Sequence, residues 1–369
     1  MKNYFDTFYI WWKTIDKFIF LIILFLFFLG LFFSLVSTSL IASEKLDTNS
    51  YYFFFKHLTF IVLGIIVLIF VSLLNQNFLV RFSIIFFLIS LITLILVPFL
   101  GVEVKGSKRW LDLAFLPRFQ PVEILKPFLI VFLSLILSLN KKNLYFKYIL
   151  TILTILPISL LLISQPDIGQ TILILSVWLS IIFVSGINLY IFFSIFIFLG
   201  SIVSYLILFV PKFEYIKIRL IAFFDTNSQN NYQAEKANDA IINGGFFGKG
   251  IGEGKLNSKV PEAHTDYIIS VVSEEFGTII VLLILLTYLI LSYKVIEKIN
   301  FTQNGMFKLI LVGSITMILL QTFVHVGVNI RLLPTTGMTL PYLSYGGSSI
   351  ISTALISGLI LNFTKRKVN

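Results

Sequence analysis

The sequence predicts an all-α, polytopic integral membrane protein, with about ten transmembrane helices and two long extracytoplasmic loops. Three observations carry that expectation. The 369 residues are 57% hydrophobic and only 12% charged, against roughly 25% charged in a soluble globular chain. Apolar runs of about 18 residues or more with few charges recur along the chain, which is the length a helix needs to cross a bilayer. The 40 Phe, with long Ile and Leu runs, suit a lipid-facing surface better than a core bounded by water. Cysteine is absent, which removes disulfides, thiolate zinc sites and cysteine nucleophiles.

The leading segment MKNYFDTFYIWWKTIDKF mixes Trp11, Trp12, Lys13 and Lys17, as segments at the headgroup boundary do. The apolar run after it, about 24 residues, is too long for the core of a signal peptide and reads as an uncleaved first span. Ten spans are expected, at about 18–42, 57–74, 79–100, 123–139, 147–163, 169–185, 187–210, 275–293, 307–330 and 346–363. They form a single membrane domain: seven spans within 17–210, a large loop over 211–265, and three spans within 266–369. An even number of spans puts both termini on one side. Short loops on that side hold 13 Lys and Arg against three, Lys45, Lys56 and Arg331, on the other. Both termini are therefore expected to be cytoplasmic, and the loops 99–122 and 211–265 face outward. The formal charge of +10 equals the inner surplus of basic over acidic residues. No basic stripe without matching acids is left for nucleic acid.

Several segments between the spans carry chemistry. The stretch GVEVKGSKRWLDLAFLPRFQPVEILKP, 101–127, supplies Lys105, Lys108, Arg109 and Trp110. A basic-aromatic set of this kind suits phosphate headgroups and equally suits plain interfacial anchoring. It enters a helix through Gln120-Pro121, where Glu123 and Lys126, three apart, are expected to make a structural ion pair within the membrane. In SQPDIGQT, 164–171, Pro166 breaks one helix and Asp167 starts the next as a cap. Within 211–265, Ala234, Ala237, Ala240 and Ile241 have helix-like spacing. Then comes GGFFGKGIGEGK, with Gly248, Lys249, Gly250 and Gly252, which is either a flexible turn or an anion-binding nest of N–H groups. It is not a Walker loop, because Leu256 sits where Ser or Thr is needed.

PEAHTDYIISVVSEEFG, 261–277, gathers Glu262, His264, Asp266, Glu274 and Glu275 directly before an apolar run. A helix continuous from about 266 lifts Asp266 roughly 12–14 Å above Glu274 and Glu275, at 1.5 Å per residue. Asp266 then lies at the outer boundary of water and lipid. On residue chemistry alone it is equally a helix N-cap and a catalytic carboxylate. For Glu274 and Glu275 the alternatives are pairing with a basic residue on a neighbouring helix and a functional role at membrane depth. LLPTTGMTLPYLSYGGSS, 332–349, holds Ser344 and Ser348 among prolines and glycines. Broken backbone at membrane depth is tolerated only inside protein or against a cavity. His325 lies within the ninth span and reads as a buried hydrogen-bonding residue. No His or Cys has ligand spacing to it, so no structural metal is expected.

These segments, in this order, resemble the SEDS family (shape, elongation, division and sporulation) of integral-membrane peptidoglycan polymerases. The matching stretches are GSKRWLDL followed by FQPVEILKP, QPDIGQT, YQAEKANDAIINGGFFGKGIGEGK, VPEAHTDYIISVVSEEFG and LPTTGMTLPYLSYGGSS. With the ten spans they cover nearly the whole chain. GVEVKGSKRW, EGKLNSKVPEAHTD and TTGMTLP are more similar to the division branch, FtsW, than to the elongation branch, RodA. The resemblance implies glycan-strand polymerisation from lipid II, a disaccharide-pentapeptide on undecaprenyl pyrophosphate, with inversion at the anomeric carbon. It implies Asp266 of the HTD motif as the catalytic carboxylate, acting as general base. The implied substrate-binding set is Lys105, Lys108, Arg109, Trp110, Gln120, Gly248, Lys249, Gly250, Gly252, His264, Thr265, Ser344 and Ser348. Within it, the cations and the glycine-rich stretch are assigned to the pyrophosphates partly on charge.

No built-in cofactor is implied, and a divalent cation, Mg or Mn, is left open. The implied partners are lipid II, the undecaprenyl-pyrophosphate-linked glycan, a class B penicillin-binding protein and divisome proteins. The implied place is the bacterial cytoplasmic (inner) membrane at the septum. Val122 stands where Ser is usual, His325 where Asn is common and Arg331 where a small residue is usual, which bears on fine pocket geometry. Two other readings stand beside the polymerase. A lipid II flippase suits broken helices and intramembrane charge, and a scaffold would recruit a transpeptidase. The outward placement of the charged loops favours the polymerase over the flippase.

Overall fold

The computed structural model describes residues 2–38, 51–104, 106–113, 117–139, 143–224, 232–256 and 259–366. Among them the chain forms fourteen α-helices and one two-stranded antiparallel hairpin. Helix α1 (Lys2–Thr14) precedes α2 (Lys17–Phe33), which runs on as a π-helical turn, Ser34–Thr38. After α3 (Tyr52–Leu73) and α4 (Gln76–Leu100) comes the hairpin of β1 (Val102–Val104) and β2 (Ser107–Trp110). Next are α5 (Pro121–Leu137), α6 (Leu144–Ser164), α7 (Ile168–Val184) and α8 (Leu189–Phe209). The large loop holds α9 (Glu214–Phe224) and α10 (Tyr232–Gly244). The chain then forms α11 (Ile268–Phe276), α12 (Thr278–Phe301), α13 (Gly305–Asn329) and α14 (Gly347–Phe363).

Among the described residues each of the ten expected apolar segments lies largely on helix, and residues 39–42 of the first lie outside them. Among the described residues seven helices are long and apolar enough to cross a membrane: α2 with its extension to Val36, α3, α4, α6, α8, α12 and α13. Helices α5, α7 and α14 have 17 residues each, about 25 Å at 1.5 Å per residue, against a hydrocarbon layer of about 30 Å. Length and composition alone thus mark seven of the ten expected spans among the described residues. The segment expected at 275–293 is not one straight helix. It breaks at Gly277, where φ is 86°.

Side-chain caps start the helices that begin at one end of the bundle. Asp16, Asn75, Asn143, Asn188 and Asn304 accept from N–H groups of the first turns of α2, α4, α6, α8 and α13. Each satisfies donors that have no partner within the helix. At that same end the Trp11 indole N–H donates to Ser72 Oγ (2.8 Å), Lys298 Nζ lies 2.7 Å from Asp16 Oδ2, and Arg366 N–H reaches Thr14 O (2.9 Å). Burial pushes the Asp16 carboxyl up, but Lys298 and the N–H groups of Ile19 and Phe18 hold it below its ordinary range. The opposite end gathers the hairpin, the turn between α6 and α7, the segment before α11 and the segment between α13 and α14, as their mutual bonds below show.

The core is made by close helix contact. Helices α3 and α14 run side by side in the same direction. Gly64 faces Ile350 and Ala354, Gly358 faces Val71, and a Cβ on Gly358 would come within 2.7 Å of Val71 Cβ. Small residues let two backbones approach in this way where lipid supplies no hydrophobic drive. Asn362 Nδ2 closes the pair by donating to the last carbonyls of α3, 2.9 Å from Val71 O and 2.7 Å from Leu74 O. Helix α5 is buried along most of its length, whereas α8 has no buried residue and sits at the margin.

Candidate functional site

The HTD motif lies on a turn, not in a helix. Glu262 has φ 53°, and its carbonyl accepts the N–H of Thr265 (3.0 Å) and of Asp266 (3.1 Å). Helix α11 starts only at Ile268, after Tyr267 at the N-cap position with no side-chain cap bond. Asp266 is therefore not the cap of that helix. Its side chain is half-buried and lies against Gly337, where a Cβ would sit 3.5 Å from Asp266 Oδ2.

Three successive carbonyls of the motif are held from outside. His264 O accepts the N–H of Tyr345 (3.0 Å), Thr265 O accepts the Ser344 hydroxyl (2.6 Å), and Asp266 O accepts Asn329 Nδ2 (3.1 Å). A turn fixed at three consecutive peptide units has little freedom to move its carboxylate. Above it the His264 ring centroid lies 5.1 Å from that of Phe53 and 5.6 Å from that of Tyr345.

The segment that supplies these donors is anchored in turn. Ser344 Oγ accepts Leu340 N–H at 2.8 Å while donating to Thr265. Tyr342, in left-handed backbone at φ 68°, reaches Ser357 Oγ at 2.8 Å, and the Tyr288 hydroxyl donates to Pro341 O. The bends that Pro341 and the glycines impose are thus taken up inside the protein.

Beneath the turn runs a buried polar network. Lys126 Nζ lies 2.8 Å from Glu123 Oε1 and donates to Gln321 Oε1 at 3.2 Å. Gln170 Nε2 donates to the same Glu123 oxygen at 2.8 Å. Gln321 Nε2 continues to Thr339 O (3.0 Å), His325 Nδ1–H donates to Met338 O (2.8 Å), and Asn329 Nδ2 reaches His325 O (2.8 Å). The pair expected from the spacing of Glu123 and Lys126 is present. Sequence reasoning missed Gln170, Gln321 and Asn329. A signal existed for two of them: Gln321, His325 and Asn329 are four apart and so share one face of α13.

The basic loop divides. Lys105 lies outside the described residues. Lys108 is exposed and Trp110 half-buried. Arg109 reaches across to the turn between α6 and α7: Nε donates to Gln165 O (3.1 Å), Nη2 donates to Pro166 O, and Nη1 lies 3.9 Å from Asp167 Oδ2. Gln120 Nε2 donates to Asp167 Oδ2 (3.1 Å), and Gln120 N–H donates to Ser348 Oγ (3.0 Å). Asp167 also caps α7 through Gln170 N–H, as its position after Pro166 suggests. Burial pushes the Asp167 carboxyl above its ordinary range, against the opposing pull of Arg109. Arg109, Gln120 and Ser348 thus tie the N-terminal ends of α5, α7 and α14 together.

The glycine-rich stretch turns its N–H groups inward. Those of Gly248, Lys249 and Gly250 donate to the carbonyls of Gly244 (3.0 Å), Glu274 (2.8 Å) and Glu275 (3.0 Å). The first closes the end of α10 and the other two cap the end of α11, instead of forming an open nest. A Cβ on Gly248 would overlap Glu275 O, and one on Gly277 would overlap Phe246 O. Glycine is needed at both, since both also have positive φ. Gly252 and the Lys249 side chain are exposed. Glu274, fully buried, accepts from Asn243 Nδ2 (2.8 Å) and Leu256 N–H (2.9 Å) through Oε1. Among the described residues no group of three or more His, Cys, Asp or Glu is arranged to hold a metal ion.

A cell cycle protein family, that of FtsW, RodA and SpoVE, matches residues 16–369. The chain belongs to this family. Among its relatives, a probable peptidoglycan glycosyltransferase FtsW of Buchnera aphidicola subsp. Schizaphis graminum is 33% identical over 339 residues, 89% of this chain and 95% of that protein. A protein of the same description from Caulobacter vibrioides is 28% identical over 366 residues, 97% and 91% of the two chains. A solved chain from a peptidoglycan synthase complex that coordinates polymerization and crosslinking superposes with TM-score 0.79 at 26% identity, covering 95% of this chain and 97% of that one. The rod shape determining protein RodA of Thermus thermophilus shares the fold, with TM-score 0.70 at 24% identity over 96% and 97% of the chains. The fold of this family thus spans nearly the whole chain.

Proposed function

We propose that this chain is a peptidoglycan polymerase, a membrane-embedded glycosyltransferase that joins lipid II units into glycan strands for septal wall synthesis. The observation that carries the reading is the Asp266 turn, pinned at three carbonyls at the end where the long loops gather. All ten apolar helices cross the bacterial cytoplasmic membrane, with both termini cytoplasmic. Asp266 then lies at the outer surface, where a sugar is within reach while its lipid stays in the bilayer.

The growing chain is the donor and lipid II the acceptor. The Asp266 carboxylate takes the proton of the acceptor 4-hydroxyl as that oxygen attacks the donor anomeric carbon. The new oxygen–carbon bond forms as the bond to the lipid pyrophosphate breaks, and the centre inverts. A positioned base of this kind contributes about 10²–10⁴ in rate. Lys108 stands exposed on its loop for the pyrophosphate charge, Lys105 nearby in sequence adds a second cation, and a divalent cation, Mg or Mn, would arrive with that substrate group. His264 and Thr265 present the sugar side of the turn. Arg109, Gln120, Ser344 and Ser348 hold the frame around it. A class B penicillin-binding protein is the partner that crosslinks the product, and divisome proteins place the pair at the septum. The relatives named as glycosyltransferases support this activity.

The test supplies purified protein with labelled lipid II and resolves products by gel. Polymer from the wild type and none from Asp266→Asn is the expected result. Accelerated lipid II movement across vesicles without polymer supports the flippase instead.

A further inference from the structure

The glycine-rich stretch sits lower in the membrane than its place in an outer loop suggests. In α12 the apolar run Thr278–Tyr293 ends at Lys294, and the inner-end pair of Lys298 and Asp16 lies one turn beyond. That run spans about 24 Å at 1.5 Å per residue, short of a hydrocarbon layer of about 30 Å. With Lys294 at the inner boundary, Thr278 lies roughly 6 Å below the outer one, and deeper if the helix tilts.

The stretch is clamped to that level. Thr278 donates to Gly245 O through both its N–H (3.0 Å) and its hydroxyl (2.8 Å), and Ile279 N–H donates to Phe246 O (3.3 Å). Glu274 O and Glu275 O take the N–H groups of Lys249 and Gly250. Irregular backbone at membrane depth needs its polar groups satisfied internally, and these bonds satisfy the carbonyls of Gly245 and Phe246 and the N–H groups of Lys249 and Gly250.

The side chains around the clamp are apolar and unburied. Ile242 is 70% exposed, Phe246 73%, Phe247 85% and Ile251 60%. They continue the outward face of α12, where Ile279, Leu282 and Leu283 are exposed to lipid. From the depth and this continuity, we infer that the end of α10 and the loop after it, residues 242–251, are inserted in lipid, with Phe246 and Phe247 seated among acyl chains. Lys249, exposed two residues after Phe247, extends its amine up to the headgroup phosphates. The loop grips the end of α11, whose start directly follows the Asp266 turn, so it sets the height of that turn against the membrane surface. This holds whether or not the chain polymerises lipid II.

The chain has no cysteine, so single nitroxide labels report single sites. Phe246→Cys and Phe247→Cys are labelled in vesicles of phosphatidylethanolamine and phosphatidylglycerol. Each is compared with Leu286→Cys on the lipid face of α12 and Gln233→Cys, exposed on α10. Power saturation against oxygen and a water-soluble nickel chelate reads depth. Both phenylalanine sites should be open to oxygen and closed to nickel as Leu286 is, at a shallower depth than Leu286. Nickel access equal to that at Gln233 puts the loop in water and overturns the inference. So does protection from both reagents, which means protein covers the loop.

Discussion

Asn329 Nδ2 lies 3.1 Å from the backbone carbonyl oxygen of Asp266 and 2.8 Å from that of His325. One side-chain amide thus binds the acid turn to the last turn of α13. Replacement by Ala leaves the Asp266 carbonyl without this donor in a partly buried place, at a cost of about 1–3 kcal/mol. Thermal unfolding of Asn329→Ala in detergent should show that loss. Polymer should form more slowly per folded molecule, with the lipid II dependence near that of the wild type.

The buried pair of Lys126 and Glu123 predicts an asymmetry. Lys126→Ala strands a buried carboxylate that also accepts from Gln170, which costs about 3–5 kcal/mol. The double variant Glu123→Gln with Lys126→Met removes both charges and should recover much of that loss. Unfolding curves of the single and double variants make the comparison.

Two glycines separate a clash from a conformational preference. Gly248 and Gly252 have similar φ, 80° and 76°, but a Cβ on Gly248 would meet Glu275 O whereas Gly252 faces open space. Gly252→Ala should cost about 1–2 kcal/mol from left-handed backbone alone. Gly248→Ala should cost clearly more and open residues 245–256 to protease. Equal losses and equal cleavage would mean that the clamp on α11 is not there.

Burial pushes the Lys365 ammonium, just beyond α14, down to about 8 from 10.5. Between those values the unfolded chain holds the proton and the folded chain has released it. Stability therefore rises with pH across that window and is flat below about 8. Lys365→Met should unfold at higher temperature than the wild type at pH 7. It should also lack the rise that the wild type shows above pH 8, measured by thermal melts over that range.

What the sequence made legible follows the physics of each signal. Apolar runs mark helices because lipid demands them, and Glu123 with Lys126 is legible because three residues make nearly one helical turn. Asp167 is legible because proline stops a helix and Asp starts one. The break at Gly277 is not, since one glycine at the head of a long apolar run reads as a continuous helix. The clamp of Gly244 to Gly250 on α11 is hidden for another reason. The same glycines suit an anion nest, and only the distant partners Glu274 and Glu275 decide where the N–H groups point. Asn329 was obscured by its setting in a long span, although its spacing from Gln321 and His325 marks a polar face.

The most direct test is the rate of glycan-strand formation from lipid II by purified wild type and Asp266→Asn, each shown to be folded by its thermal melt. The proposed role predicts that the Asn variant melts like the wild type and forms strands at least about 10²-fold more slowly, the lower end of what a positioned base contributes. Strand formation by a folded Asn variant at the wild-type rate would contradict it.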